Sequence, residues 1–304
     1  MEIPVTAASL GVVLAVVAAM LFAVQNTCVR LGTEKGDVTG VMMTSLICNV
    51  LILVPIVVII YPRPYLDLFT PVSFLSFAAA GLFGSLIARV LLFKSIQVIG
   101  ASRTTPIISS SVFFASALAI IFLEETLTVP HLLGIVLIVG GVAFISWETA
   151  TASNSETSLR EVGISLLVPL AAAAATGIEP VFASLGLSEG TPVLPGVAVK
   201  VLAATIGFGT YVRFKSSFRV PIRQPIFRWY IAAGVAASLG LISYFAALEI
   251  APVVIVVPIL QTIPLFVLLL SALFLPQRLE QINRRLIAAA VIVVVGATVV
   301  SLSG

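Results

Sequence analysis

Long apolar runs separated by short polar breaks dominate this chain. Ten runs have the length of a membrane-crossing helix, at about 20 residues for a hydrocarbon core of about 30 Å. They fall at 8–31, 38–60, 72–98, 102–123, 129–147, 162–187, 192–211, 226–249, 252–275 and 283–303. Helix-ending residues punctuate them, as in "GTEKGD" after the first run, "YPRPYLD" after the second and "SEGTPVLPG" after the sixth. The extended polar stretch is Glu148–Glu161, "ETATASNSETSLRE", which leaves five runs on either side. The pattern predicts an all-α membrane protein with units at 1–148 and 162–304 and a polar cytoplasmic linker at 149–161.

The two units resemble each other. A shift of 152 residues lays "LLFKSIQVIGASRTTPIISSSVFF" (Leu91–Phe114) on "SYFAALEIAPVVIVVPILQTIPLF" (Ser243–Phe266). Phe93 then meets Phe245, Pro106 meets Pro258 and Ser109 meets Gln261. A shift of 154 brings Gln25 onto Glu179. Similarity between any two apolar helices is the competing explanation, but the shared order of runs, breaks and linker favours duplication. An odd number of spans per unit makes the second enter from the opposite side, an inverted repeat.

Charge placement supports that topology. Connections after odd-numbered runs carry Arg30, Lys35, Arg103, Arg160, Arg213, Lys215, Arg219, Arg223, Arg228, Arg278, Arg284 and Arg285; the alternate connections carry Arg63. Basic loops stay cytoplasmic, so both termini are expected outside the cytoplasmic membrane. The start, "MEIPVTAAS", lacks the basic region of a cleavable signal, so the first run is expected to be retained.

Composition narrows the class. The 304 residues are 60% hydrophobic and 10% charged, with a mean hydropathy of +1.21. Soluble domains carry about 25% charged residues, so too little polar surface exists here to cover a water-soluble particle. The net charge of +3 sits at helix ends and gives no nucleic-acid-binding patch. Cys28 and Cys48 lie in apolar runs and read as small core residues.

The stretch "ASRTTPIISSSVFFASALAIIFLEETLTVPHLLGIVLIVGGVAFIS" (Ala101–Ser146) resembles the drug/metabolite transporter superfamily, in its EamA-type branch. A Pro-bearing helix, the turn "LEETLT" with Glu125 and a Gly-rich closing helix carry the resemblance. The second unit, "PILQTIPLFVLLLSALFLPQRLEQINRRLIAAAVIVVVGATVVS", follows the same outline but has Gln277 where Glu125 aligns. The resemblance implies ten helices around a central cavity. Such transporters move amino acids, other metabolites, nucleotide sugars or drugs, and export is the expected direction.

Candidate transport residues are polar groups at hydrocarbon depth. Glu179, directly before Pro180, stands roughly 7–8 Å from the midplane of its helix at 1.5 Å per residue. Counting ten residues back from the turn near Glu189 reaches Glu179, and eleven forward reaches Lys200, so an antiparallel pair puts both at one depth. A lone charge there costs about 2.5–3.5 kcal/mol on insertion scales, relieved by pairing or by a wet cavity. A structural ion pair and a substrate path both satisfy that requirement. Pro180 frees the Thr176 carbonyl, which suits a cavity face.

The first-unit counterparts are neutral: Gln25 and Asn26, with Asn49 roughly opposite Lys200. They suit interhelical hydrogen bonds or a cavity wall. Arg89 has two open fates, snorkelling to the cytoplasmic interface or holding an anionic substrate group. The fourth and ninth helices should face each other. They bring Pro106 and Ser109–Ser111, including Ser110, opposite Pro258, Gln261 and Pro264, while Tyr244 is a candidate aromatic wall. Gly134, Gly140 and Gly141 are expected to permit close helix packing.

The lone His131 has no histidine partner, and no metal or nucleotide motif is present, so no cofactor is expected beyond a coupling proton or other ion. The sequence reading is an exporter of a small polar or zwitterionic metabolite such as an amino acid. Lys200 would attract a carboxylate, and Glu179 an ammonium group or a proton. The alternatives are a cationic-drug exporter, which Lys200 disfavours, and an intramembrane enzyme.

Overall fold

A computed structural model describes residues 5–33, 38–99, 104, 107–151, 167–215, 226–274 and 284–302. Pro106, Gln277 and linker residues 152–161 lie outside the described residues, as do Lys35, Arg103, Arg160, Arg219, Arg223 and Arg278. Among the described residues the chain is all helix apart from its connections. In the first unit α1 spans Val5–Thr33 and α2 Val38–Ile60. The third span is α3 (Pro71–Ala80), a π turn (Gly81–Ile87) and α4 (Ala88–Ile99). Then come α5 (Ser111–Leu123) and α6 (Val129–Thr151). The second unit has α7 (Leu167–Ser188), α8 (Val193–Lys215) and α9 (Phe227–Ile250). It closes with α10 (Val253–Leu260), α11 (Ile263–Phe274) and α12 (Arg284–Leu302). Among the described residues, six helices have the length and apolarity to cross a membrane. The shorter apolar helices Ile107–Leu123, Val129–Phe144, Val253–Val267 and Val291–Val300 bring the spans to the expected ten. α6 runs on to Thr151, three residues into the stretch read as the polar linker.

Packing follows the duplication. α1 lies along α9, and its counterpart α7 lies along the third span. α5 packs on α7 as the ninth span packs on α1. α6 and α12, the closing helices of each unit, pair with each other. Exchanging the units therefore preserves the neighbours, as an inverted repeat requires.

Small residues set the close approaches. A β-carbon at Gly134 would stand 2.8 Å from the Gly296 carbonyl oxygen, and one at Gly141 would stand 2.6 Å from Val293 Cγ2. This is the tight packing expected of α6. Gly140 differs: nothing lies within 4 Å of its would-be β-carbon, because it points away from the α12 seam. The outer surface is apolar, with Leu51, Ile59 and Ile206 more than 60% exposed. In a membrane these side chains meet lipid, which removes the cost they would carry in water.

Candidate functional site

Two charges occupy the interior. The α7–α8 turn, with Gly190 at φ +84°, returns the chain antiparallel and brings Lys200 beside Glu179. Lys200 Nζ donates to Glu179 Oε1. The lysine side chain is 2% exposed and the glutamate 15%. Lys200 Nζ also lies 4.9 Å from the centre of the Phe245 ring, whose negative face favours a cation. Removing either partner would strand a charge in a low-dielectric interior, at about 3–5 kcal/mol.

The third span is shaped to receive this pair. A β-carbon at Gly81 would strike the Lys200 carbonyl, and one at Gly84 would strike the Glu179 carboxylate. Both glycines belong to the π turn Gly81–Ile87, at whose end Ala88 N–H bonds the Phe83 carbonyl five residues back. π turns inside α-helices often occur at functional sites. Neither glycine stands out in the sequence; the small-residue run "AAAGLFGS" is the one signal there.

Beside the pair lies a cavity of about 450 Å³. It is within the range of small-molecule sites, about 300–1,000 Å³. Glu179, Lys200 and Pro180 line it, together with Gln25, Asn26 and Asn49 of the first unit. Tyr244, Ser109, Gln261 and Pro264 line it too. Ser110 does not. Its hydroxyl turns back to the Ile107 carbonyl at 2.6 Å, and helix phase puts Ser111 in the wall, where its hydroxyl accepts from Gln261 Nε2 at 3.3 Å. Pro258 is buried behind the wall.

The fourth and ninth spans break at matching places. The fourth turns at Ser110, before α5; the ninth turns at Gln261–Thr262, between α10 and α11. The 152-residue shift puts Ser109 on Gln261. Interrupted helices at corresponding positions of two repeats mark binding sites in secondary transporters. Tyr244 stands with Phe22 at 6.4 Å and Phe245 at 5.5 Å in edge-on pairs, an aromatic corner next to Lys200.

Arg89 lines the cavity. Residues five apart stand about 140° apart around an α-helix. Across a π turn, bonded i→i+5, they return towards one face. The turn thus aligns Arg89 with Gly84 and Ser85, and all three line the cavity. Arg89 is exposed to that space and within electrostatic range of Glu179. Among the described lining residues, Arg89 and Lys200 oppose Glu179 alone, so the cavity carries a net positive charge.

The neutral first-unit residues are partly committed to packing. The side chains of Asn49 and Ser238 bond at 2.8 Å. With its amide nitrogen directed inward, Asn49 also donates to the Gly234 carbonyl at 2.9 Å. Ser45, one turn away in the cavity wall, has a buried hydroxyl with no partner among the described residues.

The opposite end of the bundle is closed. Phe77, Phe245, Leu53, Leu187, Val197 and Val253 belong to one buried apolar cluster. Polar contacts between the units cover that end: the Thr70 hydroxyl donates to Glu189 Oε2 at 2.9 Å, and the Thr191 hydroxyl to Ser73 Oγ at 2.7 Å. Glu125, in the α5–α6 connection, accepts from Val253 N at 2.8 Å and Val254 N at 2.9 Å. A first-unit carboxylate thereby caps a second-unit helix whose first amides lack helical partners. The sequence places Glu125 in the turn "LEETLT" without showing that it serves α10. Burial pushes its carboxyl above the usual range, and the two amides partly offset the rise.

Comparison with known proteins gives the same architecture. The profile of the EamA-like transporter family matches twice, at residues 9–147 and 163–302. The fold is also similar to that of a protein of known crystal structure, with a TM-score of 0.79, 15% identity and 97% of each chain covered. Comparison with curated proteins gives no match.

Proposed function

This chain belongs to the EamA-like transporter family and is a multi-pass membrane transporter of the drug/metabolite type, and on that premise we propose that it moves a small polar or zwitterionic metabolite, such as an amino acid, by alternating access. One observation carries the reading: a charged cavity, flanked by helix breaks at matching repeat positions, is closed at one end by an apolar cluster. The cavity lies towards the basic connections. In the cytoplasmic membrane, the positive-inside rule would place its termini outside and its cavity facing the cytoplasm. Loading from the cytoplasm fits export. Glu179 serves the solute's ammonium group or a coupling proton. The excess positive charge disfavours a cationic drug.

The test is transport in reconstituted vesicles loaded with amino acids. The Glu179→Gln and Lys200→Met variants are expected to lose most counterflow. Rates near wild type in both would reduce the pair to a structural ion pair and remove the basis of the proposal.

A further inference from the structure

Two cations and one anion share this cavity, and the two cations are not equivalent. Lys200 is enclosed, bound to Glu179 and set over Phe245. A solute carboxylate could reach it only by displacing Glu179, which would strand that carboxylate. Arg89 has the opposite situation. It is exposed to the cavity, and among the described residues no carboxylate stands within ion-pair distance of it. The π turn that begins at Gly81 aims it inward, and Gly84 leaves room for the Glu179 carboxylate on the same wall. A guanidinium matches a carboxylate through two parallel hydrogen bonds. The unpartnered hydroxyl of Ser45 adds a neutral group in the same cavity.

Resting on the transporter reading above, we infer that Arg89 receives the carboxylate of the transported solute. Glu179 receives its ammonium group, and Lys200 holds Glu179 in place. Recognition is therefore split between the third span of the first unit and the sixth span of the chain. A compound with the amine but without the carboxylate forfeits half of it.

The experiment uses the full-length protein, purified in detergent, and reads ligand-dependent thermal stabilisation. The probes are L-alanine, L-leucine, L-phenylalanine and L-glutamate, each matched with its own carboxamide. Succinate, benzoate and tetraphenylphosphonium complete the panel. The wild type should bind a stabilising amino acid about 10–100-fold more tightly than its amide, the range for losing a charge-assisted hydrogen bond. Arg89→Gln should bring acid and amide to equal, weak binding, and Arg89→Lys should restore part of the preference. The double variant Glu179→Gln/Lys200→Met, which lacks the ammonium site and leaves no charge in the pair, should bind acid and amide more weakly but still prefer the acid. If Arg89→Gln lowers the ligand-free transition, Arg89→Lys and the double variant still decide. Acid preference that survives in Arg89→Gln, or equal binding of acid and amide by the double variant, overturns the assignment to Arg89. Arg89-dependent binding of succinate or benzoate without any amino acid would keep Arg89 as the anion site and end the zwitterion reading. Stabilisation by tetraphenylphosphonium alone, or by no carboxylate, overturns both.

Discussion

Gly84→Ala adds one carbon at the point where the third span meets the ion pair. The new atom would lie 2.7 Å from Glu179 Cγ and closer still to the carboxylate. A free side chain would swing aside at little cost. This one is held by Lys200, which is itself enclosed, so swinging aside means leaving its partner. Breaking a buried pair costs about 3–5 kcal/mol. Alanine recovers up to about 1 kcal/mol of helix propensity. The net expectation is a loss of about 2–4 kcal/mol together with loss of transport. Gly140→Ala adds the same atom into open space. It should be neutral or slightly stabilising. Thermal unfolding in detergent and vesicle counterflow measured on both variants give the comparison. If Gly84→Ala matches Gly140→Ala in both assays, the carboxylate is not held where the structure places it.

Gly134→Ala should lower thermal stability by about 1–3 kcal/mol through overpacking, because backbone of α12 stands opposite; differential scanning of the purified variant measures it. Glu125 gives a pH dependence with a definite sign. Burial raises its pKa at the closed end, so the closed arrangement binds a proton more tightly than a hydrated one would. Acidification through the interval between the ordinary and raised values should therefore favour closure, and the preference should fade as pH rises above it. Labelling of a cysteine at position 57 with an impermeant maleimide should slow at low pH by more than that of an exposed reference cysteine, whose thiolate fraction falls alike, and Glu125→Gln should remove the excess.

Much of this architecture is legible in the sequence, for physical reasons. Span length is imposed by the bilayer, and duplication preserves the Ser109–Gln261 and Gln25–Glu179 correspondences. The depth match of Glu179 and Lys200 follows from counting along two antiparallel helices. What escapes depends on rotation and on distant partners. Straight α-helical phase separates Arg89 from Gly84, and the π turn brings them together. The choice of Ser111 over Ser110 follows from a break whose position is set by packing of α5 on α7 and α10. Glu125 acts on a helix 128 residues away in sequence, which no local pattern announces.

Solvent access to the proposed centre tests the account most directly. In a background with Cys28 and Cys48 replaced, single cysteines at Gln261 and Thr176 line the cavity, whereas one at Leu51 faces outward. The account predicts rapid modification of positions 261 and 176 by a hydrophilic methanethiosulfonate reagent applied from the cytoplasmic side, and none at 51. Reaction at 51 with protection of 176 and 261 would contradict a water-filled interior enclosed by two inverted units.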